Sequence, residues 1–166
     1  MAMGTSSERQ GGGNATDLGV RPFRDLDAVN VAGLVQRCLR EVNSHDYAAD
    51  IIDGMCRHFT PDRFIELSQS RSVYVAEIAD QLVGTVSRDG NKVYTMFVDP
   101  DQHGRGIGRY LMLHIETHAA DEGYDFMETG ASITGHRFYH RLGYVDVRET
   151  ETELSGLNYI MRKTLH

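Results

Sequence analysis

The sequence predicts an α/β fold: a mixed, twisted sheet of about seven strands with helices on both faces. Three observations carry that expectation. Residues 92–98 read as a strand closed by Asp99-Pro100, followed by alternate glycines (Gly104, Gly106, Gly108), a helix and a strand at 124–129. A helix between two strands is the crossover of a parallel pair. Upstream, residues 73–77, 82–87 and 92–98 are short strands in series, with Asp89-Gly90 as a hairpin signal between the last two, so they pair antiparallel. The segment before them has helical apolar spacing instead.

The elements follow in order. Residues 1–18 are polar and glycine-rich, with Gly11-Gly12-Gly13, and are expected to be a disordered leader or a cloning remnant, leaving 19–166 as one domain. A short strand spans residues 19–23. Val31, Leu34, Val35, Cys38 and Val42 make one apolar helix face, and Ile52, Met55, Cys56 and Phe59 a second. Thr60-Pro61 supplies an N-cap and first-turn proline for a third helix with Phe64 and Leu67 inward. After the three strands, the long helix keeps Ile107, Leu111, Ile115 and Ala119 on one face until Glu122-Gly123 stops it. A short helix over 134–142 ends at Gly143, and strands at 144–148 and 158–165 close the chain.

Composition narrows the function classes. The 166 residues carry 17 Lys plus Arg against 24 Asp plus Glu, a net charge of −7, which argues against nucleic acid as the main partner. Cys38 and Cys56 form neither a disulfide framework nor a metal spacing. There is no apolar run long enough to cross a membrane and no signal-peptide core, so a cytoplasmic protein is expected.

Chemistry concentrates at the glycine loop. Glycines let a backbone approach a ligand closely, and the free amides of a helix's first turn attract anions, so the guest is a phosphate or pyrophosphate. A dinucleotide loop is excluded because Arg109 stands where its third glycine should fall, and a P-loop because Gly108 is followed by Arg109-Tyr110. His103-Gly104-Arg105-Gly106-Ile107-Gly108 instead resembles the Gln/Arg-x-x-Gly-x-Gly/Ala motif of the GNAT superfamily of N-acetyltransferases, with His in the first position. A second stretch, residues 132–144, resembles that family's Asn-x-x-Ala-x-x-Phe-Tyr-x-x-x-Gly-Phe/Tyr pattern. Phe138, Tyr139 and Gly143 are in register, Ser132 replaces Asn and Gly135 replaces Ala.

The resemblance implies an acyl-CoA N-acyltransferase fold and acetyl-CoA as cosubstrate. It implies that the acetyl carbonyl lies against backbone amides at Phe97–Val98, that His103, Gly104, Arg105, Gly106, Ile107, Gly108 and Arg109 cradle the phosphates, and that Ser132 and Phe138 complete the cosubstrate site. It assigns protonation of the leaving thiol to Tyr139, and an ordinary phenol near 10 and thiol near 8.5 are close enough for transfer. The expected reaction is direct attack by a primary amine of a small molecule or peptide, in a ternary complex. The alternative is a catalytically silent acyl-CoA sensor.

Other residues stay open. No glutamate occupies 92–98; Glu128, Asp46 and Glu41 are the acidic candidates for a base, and a water chain is another. Arg105, Arg109, Arg137 and Arg141 are candidates for the coenzyme's 3′-phosphate. His114/His118 and His136/His140 are i, i+4 pairs, but neither has a third ligand at recognisable spacing, so no metal site is expected. The acceptor is expected against residues 41–64, where Asp46, Asp50 and Asp53 favour a basic molecule. The sequence leaves monomer and homodimer equally open.

Overall fold

The computed structural model describes residues 17–166; the expected leader lies outside the described residues except at its last two positions, where Leu18 already pairs with Ile78. The chain runs β1 (Leu18–Pro22), α1 (Ala28–Glu41), α2 (Ala49–His58), α3 (Pro61–Ser70), β2 (Ser72–Ile78), β3 (Gln81–Asp89), β4 (Lys92–Val98), α4 (Ile107–Asp121), β5 (Phe126–Ser132), α5 (His136–Arg141), β6 (Val145–Thr152) and β7 (Gly156–Thr164). The strands form one mixed sheet in the order β1-β2-β3-β4-β5-β7-β6, with β4 and β5 its parallel pair.

Each face buries a core of its own. α4 lays Ile107, Leu111, Met112 and Ile115 on one face against Val83, Val86, Val93 and Met127. On the other, Val31, Val35 and Leu39 of α1 and Phe64 of α3 pack around Val75, joined by Phe59 and Phe97. Aromatic and branched side chains of this size bring ~1.5–3 kcal/mol each when fully buried. The helix caps follow the local residues: Thr60 accepts from the Arg63 amide at 3.2 Å, with Pro61 in the first turn.

Some boundaries move. β5 begins at Phe126 rather than 124, because Gly123 (φ +92°) and the Tyr124 amide, bonded back to Ala119, still belong to the exit from α4. The β3–β4 hairpin turns at Gly90-Asn91, since Asp89 pairs with Lys92. β6 and β7 run longer than their apolar alternation suggests, and β7 inserts between β5 and β6.

Candidate active site

The parallel pair opens within two residues. β4 and β5 pair at Lys92↔Glu128 and Val93↔Thr129, and no further. The register of β4 on β3 slips between Thr85 and Ser87, and Thr95 sits at φ +43°. A β-branched residue there costs on the order of 1–3 kcal/mol. This bulge bends β4 away from its neighbour, and the Ser87 and Thr95 hydroxyls, 2.6 Å apart, tie its inner side. Beyond it the Asp99 amide donates to Val83 at 2.8 Å, so strand alternation turns the Val98 peptide groups the other way, into the opening. The Val98 carbonyl meets the His103 ring nitrogen at 2.9 Å and accepts from the Cys38 thiol at 3.2 Å.

The glycine loop closes one end of the opening. Gly104 (φ +77°) and Gly106 (φ +79°) occupy left-handed backbone that L side chains resist, and open space surrounds both Cα atoms. Gly106 is the N-cap of α4 and offers no side chain to its first amides, which are left for an anion. Gly108 has a different reason to be glycine. A Cβ there would lie 2.9 Å from the Phe138 ring and 3.0 Å from the Met96 methyl, so α4 and α5 meet at that point. Ile107 is buried and lends only its backbone. Arg37 on α1 grips the loop's entrance, bonding Asp99 and Asp101 at 2.9 Å each.

Tyr139 lies beneath the opening, 6% exposed. Burial pushes its phenol up to about 12, against a smaller opposing effect of the Thr129 hydroxyl. Ser132 Oγ accepts from the Gly135 amide at 2.9 Å, in the turn that leads into α5, and keeps its own hydrogen to donate. Phe138 packs edge-on against Tyr139, centroids 5.1 Å apart.

These elements enclose a cleft of about 1280 Å³ that passes through the sheet opening. Phe97, Val98, His103, Gly104, Gly106, Ile107, Gly108, Arg109, Ser132, Phe138 and Tyr139 all line it. Arg105 does not; it donates to Gln102, a lining residue, at 2.6 Å. Of the other arginines considered for the 3′-phosphate, Arg141 lines the cleft and Arg137 does not.

The acidic candidates separate in the same way. Glu128 reaches the cleft but is held by Arg162 at 2.7 Å, whereas Glu41 pairs with Arg37 and Asp46 accepts from Thr134, both outside it. Asp50 and Asp53 also lie outside, so the acidic residues expected to favour a basic acceptor do not face it.

Sequence reasoning missed three features. His58 lines the cleft, its pKa lowered by desolvation and then by Arg63 and Arg71. The only sequence signal was a histidine ending the second helix. Cys38, read from the sequence only as part of an apolar helix face, reaches the β4 exit, where burial pushes its thiol up to about 12 and keeps it protonated. Tyr47 donates to the Leu157 carbonyl at 2.7 Å and accepts from the Ile133 amide at 2.8 Å, pinning the ends of β5 and β7. A correction concerns His136 and His140: Asp146 on β6 supplies the third group, 2.7 and 3.4 Å away, and the trio ties α5 to β6.

Comparison with known proteins gives the family. Residues 39–165 match the acetyltransferase (GNAT) domain. The chain is 26% identical over 149 residues to the uncharacterized N-acetyltransferase YafP of Escherichia coli (strain K12), covering 88% of this chain and 95% of that one. It superposes on a GCN5-related N-acetyltransferase from Rhodopseudomonas palustris (TM-score 0.84, 21% identity, 89% and 95% of the chains). It also superposes on the PaiA N-acetyltransferase of Thermoplasma acidophilum, solved with coenzyme A (TM-score 0.74, 17% identity, 89% and 98%). The chain belongs to the GNAT acetyltransferase family, and is by class an N-acetyltransferase with acetyl-CoA as its cosubstrate. Among the described residues no helix is long and apolar enough to cross a membrane.

Proposed function

We propose that this chain transfers the acetyl group to a primary amine by direct attack in a ternary complex. The observation that carries this reading is the opening between β4 and β5, with the Val98 peptide turned into it and Tyr139 beneath. The Gly104–Gly108 backbone and the first amides of α4 hold the pyrophosphate, with Arg109 or Arg141 in reach of further phosphate.

The amine nitrogen bonds to the acetyl carbon, and the carbonyl oxygen gains charge that the preorganised Val98 amide stabilises. The carbon–sulfur bond then breaks. Tyr139 donates a hydrogen bond to the departing sulfur; with its phenol near 12 and a thiol near 8.5, complete transfer is uphill by on the order of 5 kcal/mol. The thiolate is therefore stabilised by donation, and its proton arrives by exchange with solvent. The amine's proton leaves toward His58, whose lowered pKa keeps it neutral. Cys38, held protonated, takes no acyl group.

Thiol release from acetyl-CoA across a panel of amines tests the reading, with Gly106→Glu and Tyr139→Phe as controls. A preferred amine whose turnover falls in both variants is the expected result. Tight acetyl-CoA binding without amine-dependent thiol release would favour the silent sensor.

A further inference from the structure

The acceptor side of the cleft has an unbalanced charge. Pairing Thr85↔Phe97 and Ser87↔Tyr94 puts Tyr94 on the same sheet face as Phe97, toward α1–α3, and Asp89↔Lys92 extends that face to Lys92. Arg71, at the end of α3, lays its guanidinium over the Tyr94 ring, 3.8 Å from the centroid. Stacking leaves the guanidinium edge and its donors free, and among the described residues no carboxylate lies within ion-pair distance of Arg71. Arg63 pairs through one terminal nitrogen with the exposed Glu66 at 2.8 Å, while its Nε is buried without a partner.

The carboxylates of the cleft are already satisfied. The carboxylates that line it are Glu116 and Glu128. Glu116 is bonded by Tyr144 at 2.9 Å and Lys163 at 2.8 Å, and Glu128 by Arg162 at 2.7 Å. What remains without an ion pair is positive: Arg71 and Lys92, with the unpartnered Nε of Arg63, in a chain whose net charge is −7.

We propose that the acceptor amine also carries an oxyanion, a carboxylate or a phosphoryl group, which Arg71 binds from its Tyr94 platform, with Arg63 and Lys92 lining the same cleft. This rests on the acetyl-transfer reading above and reverses the polarity expected from Asp46, Asp50 and Asp53. A planar guanidinium fork takes either oxyanion bidentately, which a neutral amine cannot exploit.

The test uses the full chain saturated with coenzyme A and three amines: β-alanine, phosphoethanolamine and propylamine. The Arg71 Nε–H resonance, assigned by its loss in Arg71→Gln, is followed by NMR as each is added. It should shift with at least one acidic amine and not with propylamine; the responding amine separates carboxylate from phosphoryl recognition. In thiol release the same acidic amine should exceed propylamine at least tenfold in kcat/KM. Arg71→Gln should abolish that preference mainly through KM, and Arg71→Lys should restore part of it. An Arg71 resonance unmoved by both acidic amines, or a faster reaction with propylamine, overturns the inference. A shifting resonance with no thiol release from any amine leaves the oxyanion site standing and removes the acetyl-transfer reading alone.

Discussion

At the scale of single residues, burial sets what each group can do. Tyr139 is near its ordinary value only if it is imagined in water; enclosed between Phe138, Thr129 and Tyr144, it stays a neutral donor at any working pH. Tyr139→Phe is expected to lower kcat by about a hundredfold, the lower end for a positioned donor, with acetyl-CoA affinity nearly unchanged. Steady-state turnover and calorimetric titration of acetyl-CoA check the two halves separately. His58 makes a second prediction. An amine of ordinary pKa makes log kcat/KM rise with slope one up to about pH 10. A required neutral His58 steepens that to slope two below its own pKa, which desolvation and the Arg63 and Arg71 charges place under the usual 6.5. In His58→Asn the plot should stay at slope one; an unchanged break would assign the proton to another group.

At the scale of elements, the two motifs turn out to be one joint. Gly108 is the point where α5 leans on α4 through Phe138, with Met96 of β4 against the same spot. Gly108→Leu should cost ~1–3 kcal/mol by overpacking and move Phe138 with Tyr139, so that kcat falls together with thermal stability. Gly106→Ala adds no clash, only a strained backbone, at ~1–2 kcal/mol. Its signature is weaker acetyl-CoA binding with kcat little affected. Paired Tm and kinetic measurements on the two variants separate packing from cradle geometry.

At the scale of the molecule, acid stability follows from two half-buried histidines. Desolvation lowers the pKa of His58 and of His114, the latter with an unpartnered buried Nε2 beside Tyr74 and His118. A lowered histidine binds its proton more readily in the unfolded chain, so its contribution is complete above about 6.5 and is lost as pH falls through the folded value. Asp27, held low first by its bond from Arg21, adds a second loss only as pH falls below about 3.9. Tm should decline between pH 7.5 and 5.5, by roughly 2–4 °C per kcal/mol lost. His114→Asn should make that decline shallower; an equally steep decline would place the acid sensitivity elsewhere.

Local chemistry made much of this legible from the sequence. Proline and glycine punctuation, helical spacing and hairpin signals are properties of neighbouring residues, so the class of fold, the run of elements and the glycine cradle could be read directly. Phe138 and Tyr139 were found by register within one short stretch. What the sequence could not supply were relations between distant residues: the bulge at Thr95 that opens the sheet, β7 inserted between β5 and β6, and Cys38 brought to Val98 across 60 positions. That Asp46, Asp50 and Asp53 lie outside the cleft could not be read for the same reason. Composition counts every carboxylate, but only tertiary structure decides which ones face the cleft and which of those are already paired. The sequence alone determined the family of chemistry; side-chain direction and desolvation, which exist only once the chain is packed, decided how the site is poised.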